Sequence, residues 1–162
     1  MKSARFVDIL RRLAANDVEF IVVGMTAGIL QGAPVTTVDL DIVHQRSAEN
    51  VNRLLRVLEE LDAVYRHDPR NLRPKESHLA SPGHQLLATA FGDLDCLGTI
   101  DDGKDYQDLL PSAVEMYLAD EQKILVLGLP ALIESKERAA RPKDLAALPV
   151  LRATLDEIRR RR

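Results

Sequence analysis

The chain has 162 residues, of which 46% are hydrophobic and 29% are charged, and this size and mixture are typical of one compact globular domain. Its formal net charge of -3 gives no general attraction to nucleic acid or to an anionic membrane, so either partner must be recognised locally. A single cysteine excludes an internal disulfide, and no apolar run reaches the roughly 18 residues of a membrane span. Because the N-terminal segment also lacks the apolar core of a secretory signal, we predict a soluble, cytoplasmic protein with one domain over residues 1–162.

The first part of the chain alternates helical and extended segments. Apolar residues recur every three or four positions in the helical segments, β-branched residues fill the extended ones, and Ser47 stands where a helix N-cap is expected. In chain order we predict a helix from residue 6 that closes at 15–17, a strand over 18–24, a helical turn over 26–30, a strand over 36–43 and a helix over 48–62.

The second part contains a hairpin and further helices. Residues 65–83 hold three prolines and two histidines without clear periodicity, so we predict a short strand at 63–66 followed by a loop. Two apolar runs flank a tight turn at 91–93, which places Asp93 in the turn and Asp95 in a strand. The remaining predictions are a helix over 112–120, a strand over 123–128, and helical stretches that open at Pro130 and Pro142, the latter divided by Pro149.

This order of elements predicts an α/β (α+β) fold, a mixed β-sheet with helices packed on it and a C-terminal helical segment from about 130 to 162. An all-parallel, doubly wound sheet is disfavoured because the hairpin is antiparallel.

Two aspartates, Asp39 and Asp41, interrupt the apolar run of the second strand. Side chains alternate between the two faces of a strand, so both carboxylates point one way while Leu40 and Ile42 point the other. The two positions are roughly 6.6 Å apart along the strand, which allows flexible carboxylates to converge on a pair of divalent cations. Hard oxygen ligands of this kind suit Mg²⁺ or Mn²⁺, and the alternative is a strand whose polar face is simply solvated.

The residues before these aspartates favour the metal interpretation. Gly24 ends the first strand, and residues 26–30 can form a helical turn whose N-terminal amides face a phosphate. Gly28 and Gly32 allow close packing or a turn of the backbone. A strand, a glycine turn, a short helix and a strand with D-x-D, in that order, form a specific combination.

The segment VGMTAGILQGAPVTTVDLDIV resembles the signature of the nucleotidyltransferase superfamily that includes DNA polymerase beta. The whole layout looks like a small bacterial branch related to the abortive-infection type toxins and the small antibiotic nucleotidyltransferases. The resemblance runs from about residue 18 to 151. It includes FGDLDCLGTI, similar to the strand that supplies the third carboxylate of the family, and LPALIESKERAARPKDLAAL, similar to the late helical motif of this branch.

The resemblance implies a role for each matching residue. The metal-binding and catalytic carboxylates would be Asp39, Asp41 and Asp95, holding two Mg²⁺ ions or Mn²⁺ in their place. The nucleotide-binding residues would be Gly24, Met25 and Thr26 in the glycine turn and Lys136, Arg141 and Lys143 in the late helical region. Asp93 competes with Asp95 for the third carboxylate, and the hairpin favours Asp95 because Asp93 caps the turn.

The implied activity is transfer of a nucleoside monophosphate from a nucleoside triphosphate such as ATP to a hydroxyl acceptor, with release of pyrophosphate. The acceptor could be a small molecule, a protein or a tRNA, and the 65–83 loop could line its pocket. The alternative is a catalytically weak or inactive binding module, such as a toxin-antitoxin component with its own partner. Its motivation is Met25, where the family has a small residue, and Val35, where members of this branch often have an arginine. A plain structural α/β domain is the third interpretation.

Two residues near the aspartates are expected to be structural. His44, at the end of the D-x-D strand, is predicted to be a surface histidine. Cys96, next to Asp95, is predicted to pack in the core as a small apolar residue.

Overall fold

The fold is built on one sheet of seven strands, and the computed structural model describes residues 5–162 of the chain. The helices are α1 (Phe6–Ala15), α2 (Gly24–Leu30), α3 (Ala48–Glu60), α4 (Glu76–Leu79), α5 (Tyr106–Leu109), α6 (Leu129–Ala139) and α7 (Pro142–Arg160). The strands are β1 (Phe20–Val23), β2 (Asp39–His44), β3 (Val64–Tyr65), β4 (His84–Thr89), β5 (Gly92–Leu97), β6 (Ala113–Tyr117) and β7 (Lys123–Leu127), and a single 3₁₀ turn, Leu110–Ser112, precedes β6.

The strands lie in the order β3-β4-β5-β2-β1-β7-β6. The pairs β1/β7 and β2/β5 are parallel, and the other four pairs are antiparallel. The predicted mixed sheet with packed helices is therefore confirmed. The interior strand β1, which lies between β2 and β7, has no residue more than 4% exposed, as expected when helices cover both faces.

The helices form two groups around this sheet. α1 packs on α3 and β7, while α2 packs on β1 and β2 and also contacts α6, which packs on α7. Within residues 5–162, no helix has a stretch long and apolar enough to cross a bilayer.

The predicted helix over 112–120 is wrong, because most of this segment forms the edge strand β6. Its residues pair antiparallel with β7, from Ala113 opposite Leu127 to Tyr117 opposite Lys123. Apolar positions at 113, 114, 116 and 117 fit a helical period as well as an edge strand, and a five-residue segment is too short for periodicity to separate them. Val114 and Tyr117 are 40% and 66% exposed, as suits the outer edge of a sheet.

Three predicted boundaries also differ from the structure. Asp93 lies in β5 and not in the turn, since Gly92 already pairs with Thr89. β2 begins at Asp39, because Val38 before it is 80% exposed and outside the ladder. Pro149 lies inside α7 without dividing it. The carbonyl that loses its helical partner belongs to Leu145, whose side chain is 51% exposed, so water can satisfy it.

The prediction of a surface histidine at position 44 is wrong. His44 is 1% exposed, and its Nε2 lies 2.7 Å from the carbonyl oxygen of Leu79. The strand continues through position 44, opposite Phe20, so α4 covers a side chain that sequence alone placed at an exposed end. Burial lowers the pKa of His44 below its usual 6.5, although the bond to Leu79 opposes this. Cys96 is fully buried, as predicted.

Burial of neutral His44 predicts a loss of stability in acid. Between the lowered folded pKa and the unfolded value of 6.5, the unfolded chain binds more protons, so the free energy of unfolding falls as the pH drops below about 6.5, by at most about 1.4 kcal/mol per pH unit. We expect His44→Gln to remove this slope, measured as the difference in urea-unfolding free energy between wild type and variant from pH 8 to 5. The exposed His67, replaced by Asn, should leave the slope unchanged, and an equal slope in wild type and His44→Gln would contradict the prediction.

Candidate functional site

Three carboxylates converge where β2 and β5 run side by side. The parallel register places Asp41 opposite Asp95 and Asp39 opposite Asp93, so alternation puts all four side chains on one face of the sheet. Asp39, Asp41 and Asp95 each offer an oxygen within 4.8 Å of the other two. Asp93 lies outside this group, with a side chain 37% exposed. Of the two candidates for the third carboxylate, the structure thus brings Asp95 to the D-x-D pair.

The charges of these carboxylates are only partly neutralised by neighbouring groups. Burial, followed by the charges of Asp39 and Asp95, raises the pKa of Asp41 from 3.8 to about 7. In the described part of the chain, Asp41 Oδ1 and Asp95 Oδ1 are both buried and accept no hydrogen bond. Buried anionic oxygens that accept no hydrogen bond are costly, and a divalent cation would supply the positive charge that Asp41 Oδ1 lacks. The residues present therefore fit the Mg²⁺ or Mn²⁺ that this set of hard oxygen donors suggests.

The guanidinium of Arg66, which no sequence pattern singles out, approaches the carboxylates from the β3 side. Arg66 Nη2 lies 2.9 Å from Asp95 Oδ1, and Arg66 Nε lies 3.7 Å from Asp93 Oδ2. The pKa of Asp95 is raised by burial, while the ion pair with Arg66 opposes that rise. Arg66 directly follows the two-residue strand β3 in the segment without periodicity, so only tertiary pairing could reveal it.

Gly24 is the point at which the backbone of β1 turns into α2 beside Asp41. Its φ is +66°, a conformation that L side chains rarely adopt, and a Cβ at this position would overlap Asp41 Oδ2. The turn needs glycine for its conformation and for the space that the carboxylate fills. Gly24 therefore sets the position of Asp41.

Replacing Gly24 by alanine should displace Asp41. We expect a loss of about 1–3 kcal/mol in unfolding free energy from the strained φ, together with at least tenfold weaker Mn²⁺ binding by calorimetry. Gly32→Ala is the matched control, because Gly32 also has a positive φ, +107°, but a Cβ there would meet only Thr154, at 3.9 Å. Equal Mn²⁺ affinity in both variants would contradict a role for Gly24 in placing the carboxylate.

Two threonines fix the start of β2. Thr26 Oγ1 and Thr37 Oγ1 lie 3.3 and 3.2 Å from the carbonyl oxygen of Asp39, and Thr37 Oγ1 also lies 3.2 Å from Asp39 Oδ1. Thr26 is only 4% exposed. Its buried hydroxyl therefore holds the backbone of Asp39 in place through this hydrogen bond.

The positive side of the site is a cluster of two cations around one buried carboxylate. Asp144 is completely buried, and its oxygens lie 3.2 Å from Lys136 Nζ and 2.7 Å from Arg141 Nε. Burial alone would raise the pKa of Asp144, but the bonds from Arg141 and Lys136 outweigh burial and hold it below its usual value. Lys136, on α6, is therefore fixed by the first turn of α7. Asp144 was missed in sequence because it looks like part of a solvated helix face.

One cavity of about 860 Å³ joins the carboxylates to these cations. Eight of the nine residues that the sequence assigned to the site line it, namely Gly24, Met25, Asp39, Asp41, Asp95, Lys136, Arg141 and Lys143. The ninth, Thr26, does not line the cavity and instead contacts the backbone of Asp39. Lys143 forms no ion pair with any residue in the 5–162 range, and Met25 packs its side chain partly against the core. The volume is within the range of small-molecule sites.

Comparison with known proteins supports the fold. No protein-family model matches the chain, and no curated protein matches it. Among solved structures, it is similar to a Thermotoga maritima protein that carries a provisional assignment as a nucleotidyltransferase, with a TM-score of 0.57 and 20% sequence identity over 96% of this chain and 97% of that one. A likeness at this identity concerns architecture, and the chain accordingly has a nucleotidyltransferase-like α+β fold.

Proposed function

We propose that the protein is a Mg²⁺-dependent nucleotidyltransferase that moves a nucleoside monophosphate from a nucleoside triphosphate to a hydroxyl acceptor and releases pyrophosphate. The observation that carries this proposal is the meeting of Asp39, Asp41 and Asp95 within 4.8 Å of one another. They lie in a cavity that also contains cationic side chains. The nucleotidyltransferase-like fold supports the proposal by analogy, and the activity itself is inferred from the site.

The three carboxylates would hold the divalent cations. Bound there, the cations would neutralise the negative charge that develops on the transferred phosphate and on the pyrophosphate leaving group. The raised pKa of Asp41, about 7, and the buried Asp41 Oδ1 that accepts no hydrogen bond support this assignment, because a bound cation would lower that pKa and supply a partner for that oxygen.

The nucleotide would lie between the glycine turn and the late helices. Gly24 and Met25 line one wall, and Lys136, Arg141 and Lys143 bring positive charge to another. Since Lys136 and Arg141 share Asp144, they are held in fixed positions before a ligand arrives, which reduces the entropy lost on binding. Thr26 contributes through its bond to the backbone of Asp39.

In the reaction, the acceptor oxygen forms a bond to the α-phosphorus while the bond from that phosphorus to the bridging oxygen of the β-phosphate breaks. Pyrophosphate leaves with the electron pair of the broken bond. The hydroxyl proton passes to an Asp95 carboxylate oxygen, since Asp95 lies on the β5 side of the cluster, away from the late helices.

The test is transfer of label from an α-³²P nucleoside triphosphate in the presence of Mg²⁺. A small hydroxylic compound, a protein mixture and a tRNA preparation enter as separate acceptor arms, and each of the four nucleotides, ATP first, is tried with each. We expect transfer that disappears in Asp39→Asn and Asp95→Asn but persists in Asp156→Asn, an exposed carboxylate on α7. Failure of every arm, or persistence of transfer in the site variants, would overturn the proposal.

The second candidate is an inactive binding module, such as a component of a toxin-antitoxin pair that recognises a partner protein. Val35 favours it, because Val35 packs against the core where this branch often has an arginine. A binding module would bind nucleotide equally well in wild type, Asp39→Asn and Asp95→Asn, and would transfer no label in any of them. Calorimetric titration with a non-hydrolysable triphosphate separates the two functions.

A further inference from the structure

Arg66 is anchored beside the carboxylates by the backbone of β4. Its amide N donates to the Leu86 carbonyl oxygen at 2.9 Å, and its Nη1 donates to the Leu87 carbonyl oxygen at 2.8 Å. Its side chain is 16% exposed. A guanidinium held in this way cannot turn away from the site without breaking a partly buried hydrogen bond.

The charge of Arg66 lies where a cation bound to Asp95 would lie. Nη2 is 2.9 Å from Asp95 Oδ1, an oxygen that is buried and accepts no hydrogen bond within residues 5–162. The contact is therefore one of charge, without the alignment of a hydrogen bond. A metal ion binding to this oxygen would meet an arginine at close range, and like charges in a partly buried site repel strongly.

The other cations at the site do not take part in this contact. Lys136 and Arg141 belong to α6 and the start of α7, which follow β7, and they share Asp144. Arg66 directly follows β3, which is the edge strand at the other end of the sheet from β7 and β6. The two ends of the carboxylate cluster thus differ: Asp95 already has a cation beside it, whereas Asp41 Oδ1 has no partner in the described chain.

We propose that the Arg66 guanidinium occupies the cation position beside Asp95, so that the free protein binds one divalent cation and takes a second only together with a nucleotide. The inference rests on the metal site of the proposed function. The first ion binds on the Asp39 and Asp41 side. The second becomes favourable when the triphosphate adds negative charge and ligand oxygens that offset the repulsion by Arg66.

The test counts Mn²⁺ ions per chain by electron paramagnetic resonance of free Mn²⁺ at pH 7.5. We expect one ion in the wild type without nucleotide and two with a non-hydrolysable triphosphate. Arg66→Gln should bind two without nucleotide, the second at least tenfold more tightly than the wild type does. Arg66→Lys, which keeps the charge, should bind one. Arg70→Gln, an exposed arginine paired with Asp68, should behave as wild type.

Each result decides the inference. Two ions on the nucleotide-free wild type would overturn it, even if Arg66→Gln failed to fold, and so would one ion on a folded Arg66→Gln. A loss of all Mn²⁺ binding in Arg66→Gln would show that Arg66 only orients Asp95, which also overturns it. If neither wild type nor Arg66→Gln binds Mn²⁺, the proposed metal-dependent function is overturned as well. If label transfer is observed but wild type and Arg66→Gln bind the same number of ions without nucleotide, only the inference about Arg66 is overturned.

Discussion

Replacing Asp41 by asparagine should abolish nucleotidyl transfer and, at the same time, make the metal-free protein more stable at pH 8. Loss of one of the three carboxylates proposed to hold the metal would remove several kcal/mol of charge stabilisation, which corresponds to a rate lower by on the order of 10²–10⁴. The gain in stability has the opposite origin. Asparagine has nearly the same shape but carries no charge, so the cost of burying a carboxylate disappears, and with it the repulsion by Asp39 and Asp95.

The pH dependence of this gain follows from the raised pKa of Asp41. The folded protein keeps the Asp41 proton up to about pH 7, whereas the unfolded chain loses it near 3.8. Between these values the folded state binds more protons, so the contribution of Asp41 to stability falls as the pH rises and is fully lost above about 7. At about 1.4 kcal/mol per pH unit, the rise from 3.8 to about 7 makes the penalty at pH 8 on the order of 4 kcal/mol.

The measurement compares urea unfolding of wild type and Asp41→Asn at pH 5 and pH 8 in EDTA. The variant should be more stable at both pH values, by about 1.7 kcal/mol at pH 5 and by the full penalty at pH 8. Adding Mg²⁺ should stabilise the wild type by mass action and leave the variant little changed. A variant less stable than wild type at pH 8 in EDTA would contradict the electrostatic account, and Asp156→Asn is the control for a carboxylate outside the site.

The D-x-D pair could be predicted from sequence because alternation along a strand is local. Asp39 and Asp41 follow from the pattern of β2 alone, and Asp95 follows once the hairpin is recognised. The basis for preferring Asp95 over Asp93 was nevertheless incorrect, since both lie in β5. The parallel register with β2 places Asp93 beside Asp39 and Asp95 beside Asp41. What separates them is that Asp95 has an oxygen within 4.8 Å of both Asp39 and Asp41, and such convergence depends on register, a tertiary property.

The missed residues depend on contacts between distant segments. Arg66 meets Asp95, 29 positions later in the chain, only because β3 and β4 pair beside β5. His44 is buried because α4 supplies a carbonyl acceptor from a segment without periodicity. No local pattern encodes such contacts, whereas the helices with clear apolar stripes, α1 and α3, lie where the sequence predicts them.

Replacing Asp144 by asparagine should destabilise the protein and weaken nucleotide binding together. The buried carboxylate accepts from Lys136 on α6 and from Arg141 at the start of α7, so its loss leaves Lys136, only 16% exposed, without a counter-charge. Breaking a buried ion pair costs about 3–5 kcal/mol. We expect the lower end, about 3 kcal/mol, because Arg141 is 60% exposed and can be hydrated.

Nucleotide binding should weaken because both cations lose the anion that holds them in place. Charge-assisted hydrogen bonds contribute about 1.5–3 kcal/mol each, so loss of one well-placed cation raises the nucleotide KM by about tenfold or more. The exposed Asp156 on the same helix α7, replaced by asparagine, should change neither stability nor KM.

A double-mutant cycle separates this coupling from ordinary loss of packing. Lys136→Met removes the buried cation, so adding Asp144→Asn to it no longer leaves Lys136 without a partner. The two changes together should therefore cost less unfolding free energy than the sum of the single costs, by about 1 kcal/mol or more. Additive costs would mean that Lys136 and Asp144 act independently, and the late helices would then present Lys136 to the cavity without the help of α7.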